Sequence, residues 1–536
     1  MLQIVLPSLQ LITVSCVMMP LEKVTLPSMH DKTEVKMIYK VVFKRKIIAV
    51  SIAVSIFSAT QSLAQELSRE EFDSLSDRVR TLESENANLR NAEGARNVFS
   101  SLVGTNAEYS FKVLDHAEMT NTKQLYQLQA LSNGMLGSKL TLGGQVTALV
   151  NYQDANENSK FGWLMRHPTS ANQIGMSSSE AVIHSSNINL TAKLHENITG
   201  YVELLYNPEQ NFASGSTITG LPRNNVNVRR AYVLWGNLDK SPMYASLGKM
   251  DIPFGWNDTV SPFTNSTSWH SFAGLAYGGL FGYANENLHL RAMAIQGGAQ
   301  FRNANTPVEG TNVPSKLNNF AADANYTFAF ESDATLNLGA SYQYGSSYCQ
   351  EFQDTPAEAH STGATLIPGV TRNTAPQGVR HFNSCNDNVD AVAAYGIYTN
   401  SKLMLTAEYA TTLDVWPGTA NPYIPQFAAE KNETFTLGGR YSSDVGFPEP
   451  IDFSVEFSRF NAGSSGSPWE KQDQLVLGAS YYLSPGVNLF AELIRVEGWV
   501  PLNFLSGGNP GSLVGTSWSS QTSKNNIFAL GIQAAF

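Results

Sequence analysis

The last eleven residues, Asn526 to Phe536, alternate in character. Phe528, Leu530, Ile532 and Phe536 share one parity with Ala534, while Ala529, Gly531, Gln533 and Ala535 share the other. Successive side chains of a strand point to opposite faces, so this segment has one broad apolar face and one small or polar face. A soluble strand over a protein core reads the same way in isolation. The same alternation recurs back to residue 139, and the recurrence is what narrows the fold. Ribbons of this kind satisfy both hydrocarbon and water only by closing on themselves, which predicts a transmembrane β-barrel.

Strands are expected at about 139–152, 182–195, 199–207, 225–237, 242–250, 271–284, 286–297, 319–330, 335–344, 388–399, 402–412, 433–442, 451–460, 473–483, 486–495 and 525–536. In the fourth, parity slips between Val228 and Ala231. A bulge at Arg229–Arg230 explains the slip and leaves open which arginine points inward. Links after even-numbered strands are mostly short and those after odd-numbered strands long, reaching roughly forty residues over 346–387. Sixteen antiparallel strands with short turns on one rim and long loops on the other is the outer-membrane architecture, with both termini periplasmic. A soluble sandwich would need a second apolar layer, and the polar parity is too rich in Asn, Thr, Ser and Gly to supply one. Tyr152, Phe330, Tyr344, Tyr409, Tyr441 and Tyr481 fall near strand ends, where an interfacial girdle belongs. Charged residues are only 15% of the chain. After residue 65 no run approaches the roughly 18 apolar residues of a helical span.

The region before the barrel divides into three. Residues 1–64 read as an early-started leader plus export signal, with Met37 the expected start. Lys36, Lys40, Lys44, Arg45 and Lys46 precede an apolar run over 47–57, and Ser62-Leu63-Ala64 offers a cleavage pattern. An uncleaved anchor is the alternative. Removing this stretch takes 7 of 35 basic and 3 of 45 acidic residues, leaving 28 against 42, a net −14 that argues against nucleic acid. Over 65–91, Phe72, Leu75, Val79, Leu82, Asn86 and Leu89 form an a/d seam, predicting a short periplasmic coiled coil that could join protomers, or else a single amphipathic helix. Residues 92–138 are a linker or pore-associated segment, with a short helix expected over 122–132. Of the two cysteines left, Cys349 and Cys385 share one polar loop, which suggests a disulfide, with free thiols as the alternative.

Catalytic patterns are missing from the sequence: there is no nucleophile elbow, phosphate-cradling loop or metal-ligand spacing. Neither an enzyme nor a cofactor is expected. The informative polar residues lie opposite the apolar parity: Lys193, Glu203, His289, Arg291, Asp323, Asp390, Glu408, Arg440, Asp452, Glu456 and Glu492. A charge facing lipid would cost about 2–4 kcal/mol at mid-membrane, so all eleven are expected to line a lumen. They form either a solvated wall with internal ion pairs or a constriction that screens solute charge. Neither a basic ladder nor an aromatic slide for saccharides stands out.

The layout resembles the legiobactin-receptor (LbtU) family of siderophore porins. So does the stretch Arg229-Arg-Ala-Tyr-Val-Leu-Trp-Gly236 with Gly248-Lys249 and Pro253-Phe254-Gly255. Phosphate- and other substrate-selective porins share it more loosely. The resemblance implies uptake of a ferric siderophore across the outer membrane without a large plug domain, and it assigns no ligand residue. A general or anion-selective porin and an adhesive surface barrel are the rival readings. Expected partners are the ferric siderophore or another small solute, outer-membrane lipid and, where the coiled coil associates, further copies of the chain. The barrel-assembly machinery would read Phe528, Leu530, Ile532 and Phe536 as an insertion signal.

Overall fold

A computed structural model describes residues 102–160, 174–206, 226–296, 317–330, 333–345, 389–415, 426–444, 446–461, 463–467, 470–498 and 522–536. The export signal, the seam over 72–89 and the Cys349–Cys385 pair lie outside the described residues.

Sixteen strands make the wall. They are β1 (Leu140–Lys160), β2 (Ile174–His195), β3 (Ile198–Tyr206), β4 (Val226–Gly236), β5 (Met243–Asp251), β6 (Leu275–Ala284), β7 (Leu288–Gln296) and β8 (Leu317–Ala329). The second half is β9 (Thr335–Tyr344), β10 (Ala391–Thr399), β11 (Leu403–Thr412), β12 (Glu433–Ser443), β13 (Ile451–Asn461), β14 (Lys471–Ser484), β15 (Val487–Gly498) and β16 (Lys524–Ala535). Each pairs antiparallel with its sequence neighbours. β16 then pairs with β1, Asn525–Ala535 against Ala155–Gln145, and the sheet closes.

Lipid and lumen faces follow parity. Leu142, Val150, Phe281, Leu405, Leu437, Val455, Leu477, Leu493, Phe528, Leu530 and Ile532 are all exposed on the outside, whereas Asn151, Glu203, Asp323, Glu456 and Gln533 are buried. Tyr152, Phe330, Tyr409 and Tyr441 are exposed at the strand ends where a girdle is expected. Phe536 is also exposed, and its backbone bonds Gly144 in both directions. Two tight turns owe their shape to asparagine. Asn285 Oδ1 accepts from Asn287 N and Leu288 N, and Asn400 Oδ1 accepts from Lys402 N and Leu403 N.

Several boundaries differ from the expectation. β1 and β2 run to 21 and 22 residues, well beyond 139–152 and 182–195. β6 begins at Leu275, because residues 267–272, partly assigned to that strand, form a one-turn helix. The fourth strand does bulge: Glu203 faces Arg230 and Leu204 faces Val228, so Arg229 is the extra residue.

Among the described residues, three helices accompany the wall: α1 (Ala107–Leu114), α2 (Lys123–Ser132) and α3 (Thr267–Phe272). Asn106 caps α1 through Tyr109 N, and Ser266 caps α3 through Trp269 N. Residues 102–138 touch inward side chains of β2, β4, β7 and β12, all around the circumference, which puts the segment within the barrel.

Replacing Leu530 with Arg puts a charge on the hydrocarbon face at the middle of β16. Urea unfolding in lipid vesicles should show a loss of about 2–4 kcal/mol.

Candidate functional site in the lumen

The link from β5 to β6, residues 252–274, turns into the barrel instead of standing above it. Gly248 lies inside β5 shortly before the link, paired with Tyr232 on β4 and Gly278 on β6. Its φ is +142°, and a Cβ there would sit 2.2 Å from Ala231 O. Four alternate strands then hold successive stretches of the loop. Ser341 on β9 accepts from Gly255 N at 2.9 Å. Glu408 on β11 accepts from Trp256 N at 2.8 Å and Asn257 N at 3.2 Å. Glu456 on β13 accepts from Val260 N at 3.0 Å and the Thr259 hydroxyl at 2.7 Å. Glu492 on β15 accepts from Phe263 N and Thr264 N at 2.8 and 2.9 Å. Loop peptide groups far from bulk water need acceptors, and carboxylates are the strongest available. Further along, Ser458 accepts from Thr267 N, and the Ser268 hydroxyl meets those of Thr434 and Thr436. Phe263 stacks on Phe490 with centroids 4.9 Å apart.

Residues 102–138 lie against that loop. Asp258 accepts from Met119 N at 2.9 Å and Thr120 N at 2.7 Å. Asn121 donates to Gly255 O, and its own carbonyl accepts from Arg291 on β7 at 2.5 Å. Glu118 pairs with Arg440 on β12. Within the segment, the Lys123 ammonium donates to the Val113 and Asp115 carbonyls, both at 2.8 Å, tying α2 to the end of α1. Tyr109 reaches Thr191, Tyr232 donates to Gln127, and Lys193 donates to Leu136 O. Apolar packing adds to these bonds: Tyr109, Leu128 and Leu136 join Tyr201, Leu234 and Tyr244 of the wall in one buried cluster.

Burial shifts the titration of this segment and its seat. It pushes the Asp258 carboxyl up to about 6 and, with repulsion from Glu118, the Asp115 carboxyl up to about 7. Burial also pushes the Lys123 ammonium down to about 8.

The residues singled out by parity fall into small groups. Glu203 accepts from Arg230 at 2.8 Å, and Arg230 grips Asp251 with two donors at 2.5 and 2.7 Å; the bulged Arg229 lies 3.8 Å from Glu203. Arg291 pairs with Asp323 at 2.6 Å, and Asp323 also accepts from Ser341 and Tyr395. His289 meets the Tyr244 hydroxyl at 2.7 Å. Asp452 accepts from Ser442. Glu408, Glu456 and Glu492 hold the loop, while Arg440 and Lys193 hold the N-terminal segment. Asp390 departs from the expectation of a lumen position. It precedes β10 on the outward parity of Val392 and Ala394, and its carboxylate accepts from the Tyr342 hydroxyl at 2.5 Å. Sequence reasoning did not single out Ser341, Asp251, Asp258 or Lys123. Among the described residues, no group of three or more His, Cys, Asp or Glu is placed to hold a metal.

The Gram-negative porin profile matches residues 128–498, more than two thirds of the chain. The chain belongs to the Gram-negative porin family. This porin is also 24% identical over 260 residues to a UPF0422 protein of Coxiella burnetii, a match spanning 46% of each chain. It is 33% identical over 76 residues, 14% of each chain, to a UPF0422 protein of Legionella pneumophila strain Paris. The porin thus spans less than half the length of the curated relatives it matches. Among solved structures, Pseudomonas putida OprB gives a TM-score of 0.45 at 8% identity, covering 78% of this chain and 99% of that one. The channel DcaP of Acinetobacter baumannii gives 0.41 at 12%, covering 74% and 97%. An anion-selective porin from Comamonas acidovorans gives 0.41 at 12%, covering 74% and 99%. By its family and its closed sixteen-stranded wall, the chain is a porin-type barrel of the Gram-negative outer membrane.

Glu408→Ala leaves Trp256 N and Asn257 N without their acceptor, a cost of about 2–5 kcal/mol to the loop's seat. Hydrogen exchange at 255–260 should accelerate while the strand ladders stay protected. The seat of 102–138 also depends on pH. Asp258 and Asp115 bind protons more tightly when buried than when hydrated, so protonation favours the seated segment. Its protection should strengthen as pH falls from 8 through about 7 and 6 towards the ordinary carboxylate range, and weaken as pH rises again. Lys123, held at about 8, titrates only at the top of that window and is charged below it. Hydrogen exchange at 116–121 checks this, and D115N/D258N should flatten the profile.

Proposed function

We propose that this porin is substrate-selective, that its own segment 102–138 shuts it at rest, and that its cargo is a ferric siderophore. One observation carries the reading. Glu408, Glu456 and Glu492 fix loop 252–274 across the lumen, and residues 102–138 are bonded onto that loop through Asp258. A sixteen-stranded wall leaves a water-filled channel when it is clear. Two protein segments inside it work against a standing pathway and favour one opened by a particular solute. The siderophore part is supported by the sequence resemblance at 229–236 and 248–255, and by a lumen segment much shorter than a plug domain. On this reading the residues before 102 are periplasmic, and a coiled coil over 65–91 joins protomers. The C-terminal strand, ending at Phe536, is what the assembly machinery reads.

Planar-bilayer recording and labelled ferric-siderophore uptake test the proposal, in cells lacking the gene and complemented with the full chain. Low resting conductance and restored uptake are expected, with E118Q/N121A raising the time-averaged conductance by loosening the segment. A high, steady conductance from the native chain would point instead to a general porin. Restored conductance with no iron uptake would remove the siderophore as cargo.

A further inference from the structure

Charge is spread unevenly around the lumen. The inward side chains of β1 include Thr141, Gln145, Thr147, Leu149, Asn151 and Gln153, and those of β16 are Asn525, Ile527, Ala529, Gly531 and Gln533. Among the described side chains, neither strand turns a charge inward. The charges named on other strands are already engaged: Arg230 with Glu203 and Asp251, Arg291 with Asp323, Arg440 with Glu118, and three glutamates with the loop.

Neutral side chains show the opposite on several strands, Asn189, Thr406, Gln472 and Asn488 among them, and β1 and β16 carry a row of them. Gln145 Nε2, Thr147 Oγ1, Asn151 Nδ2, Gln153 Oε1, both amide atoms of Asn525 and Gln533 Nε2 have no hydrogen-bond partner in the protein. All six side chains are at least nine-tenths buried. A buried polar atom left without a partner costs about 1–3 kcal/mol. Seven such atoms, on six side chains of two adjacent strands, make a face built to be completed by something else. Donors and acceptors are mixed along it, in two polar stretches, Gln145, Thr147 and Gln533 at one end and Asn151, Gln153 and Asn525 at the other, with Leu149, Ile527 and Ala529 among them in a buried apolar cluster with Phe263. Gln533 stands beside Thr147, Asn151 beside Ala529, and Gln153 beside Ile527. From Gln145 to Gln153 the strand runs roughly 26 Å along its own axis, about 20 Å across the membrane at a tilt of roughly 40°, against a hydrocarbon thickness of ~30 Å.

We infer that the lumen faces of β16 and β1 form an uncharged hydrogen-bonding lane for neutral solutes rich in both donors and acceptors. The inference rests on the proposed function for its cargo, which it narrows to a neutral ferric complex. An anionic complex leaving water along this lane meets no counter-charge on either strand, whereas a neutral one exchanges water bonds for amide bonds. Segment 102–138 covers the lower end, where a Cβ on Gly143 would lie 1.9 Å from the Ser110 hydroxyl. Loop 252–274 covers the middle through Phe263, so full access requires both segments to move.

Equilibrium binding to the full chain in detergent, by calorimetry, tests the lane separately from transport. The probes are a neutral ferric trihydroxamate and a trianionic ferric tris-catecholate. The neutral complex should bind about tenfold tighter or more, and N151A/Q153A/Q533A should lose about tenfold of that affinity. Gln153→Glu keeps the side chain's size and should weaken the neutral probe on its own, which guards against a triple variant that folds poorly. Binding of neither probe, equal or tighter binding of the trianion, or unchanged neutral affinity in Q153E and the folded triple variant would each overturn the lane. Uptake measured alongside reads the proposed function: binding intact but uptake absent overturns transport and leaves the lane standing.

Discussion

A peptide group inside a bilayer has no water to turn to, and the wall of this protein is organised around that fact. Sixteen strands leave no open edge, because β16 meets β1 over eleven residue pairs. Where an extra residue occurs, as at Arg229, the ladder bulges and resumes on the same faces. The outside can then be apolar by simple alternation, and polar chemistry is confined to the inside.

Peptide groups of loop 252–274 meet a related shortage within the lumen, and the answer is different. No neighbouring strand pairs with this loop, so wall side chains act as acceptors in turn: Ser341, Glu408, Glu456 and Glu492. A desolvated carboxylate is tolerable when two or more donors converge on it. The loop and the glutamates therefore stabilise one another. Ion pairs do similar work elsewhere, joining strands around Arg230 and Arg291 and joining the N-terminal segment to the wall at Arg440. Charge in this lumen is largely architectural, and hydrogen-bonding capacity is left over mainly on neutral amides.

The alternation was legible because every second residue on sixteen strands answers to lipid. Strand count, closure and the inward direction of Glu408, Glu456 and Glu492 all follow from it. What those glutamates hold was not legible, since Glu492 and Phe263 are 229 residues apart and nothing local links them. α1 escaped notice because eight residues make a marginal helix alone and are held by packing against the wall. α3 was partly merged with β6, whose Ala276 and Leu280 continue its buried apolar character. Asp390 was misplaced because β10 carries apolar residues on both parities, Ala391, Ala393 and Tyr395 inward and Val392 and Ala394 outward, so alternation does not sort its two faces. The Arg229–Arg230 ambiguity was real in the sequence, since only the pairing with Glu203 identifies the extra residue.

The length of the first hairpin has its own consequence. A membrane-crossing strand needs about 9–11 residues, yet β1 and β2 have 21 and 22. Roughly half of this ribbon stands clear of hydrocarbon, and its outer face changes accordingly: above Tyr152 come Asp154 and Asn156, facing outward with Ser177 and Ser179. Held upright by its own ladder, the described part of this hairpin extends the wall past the apolar band like a post. No hydrocarbon constrains its outer face there, so that stretch tolerates sequence drift or a grafted tag.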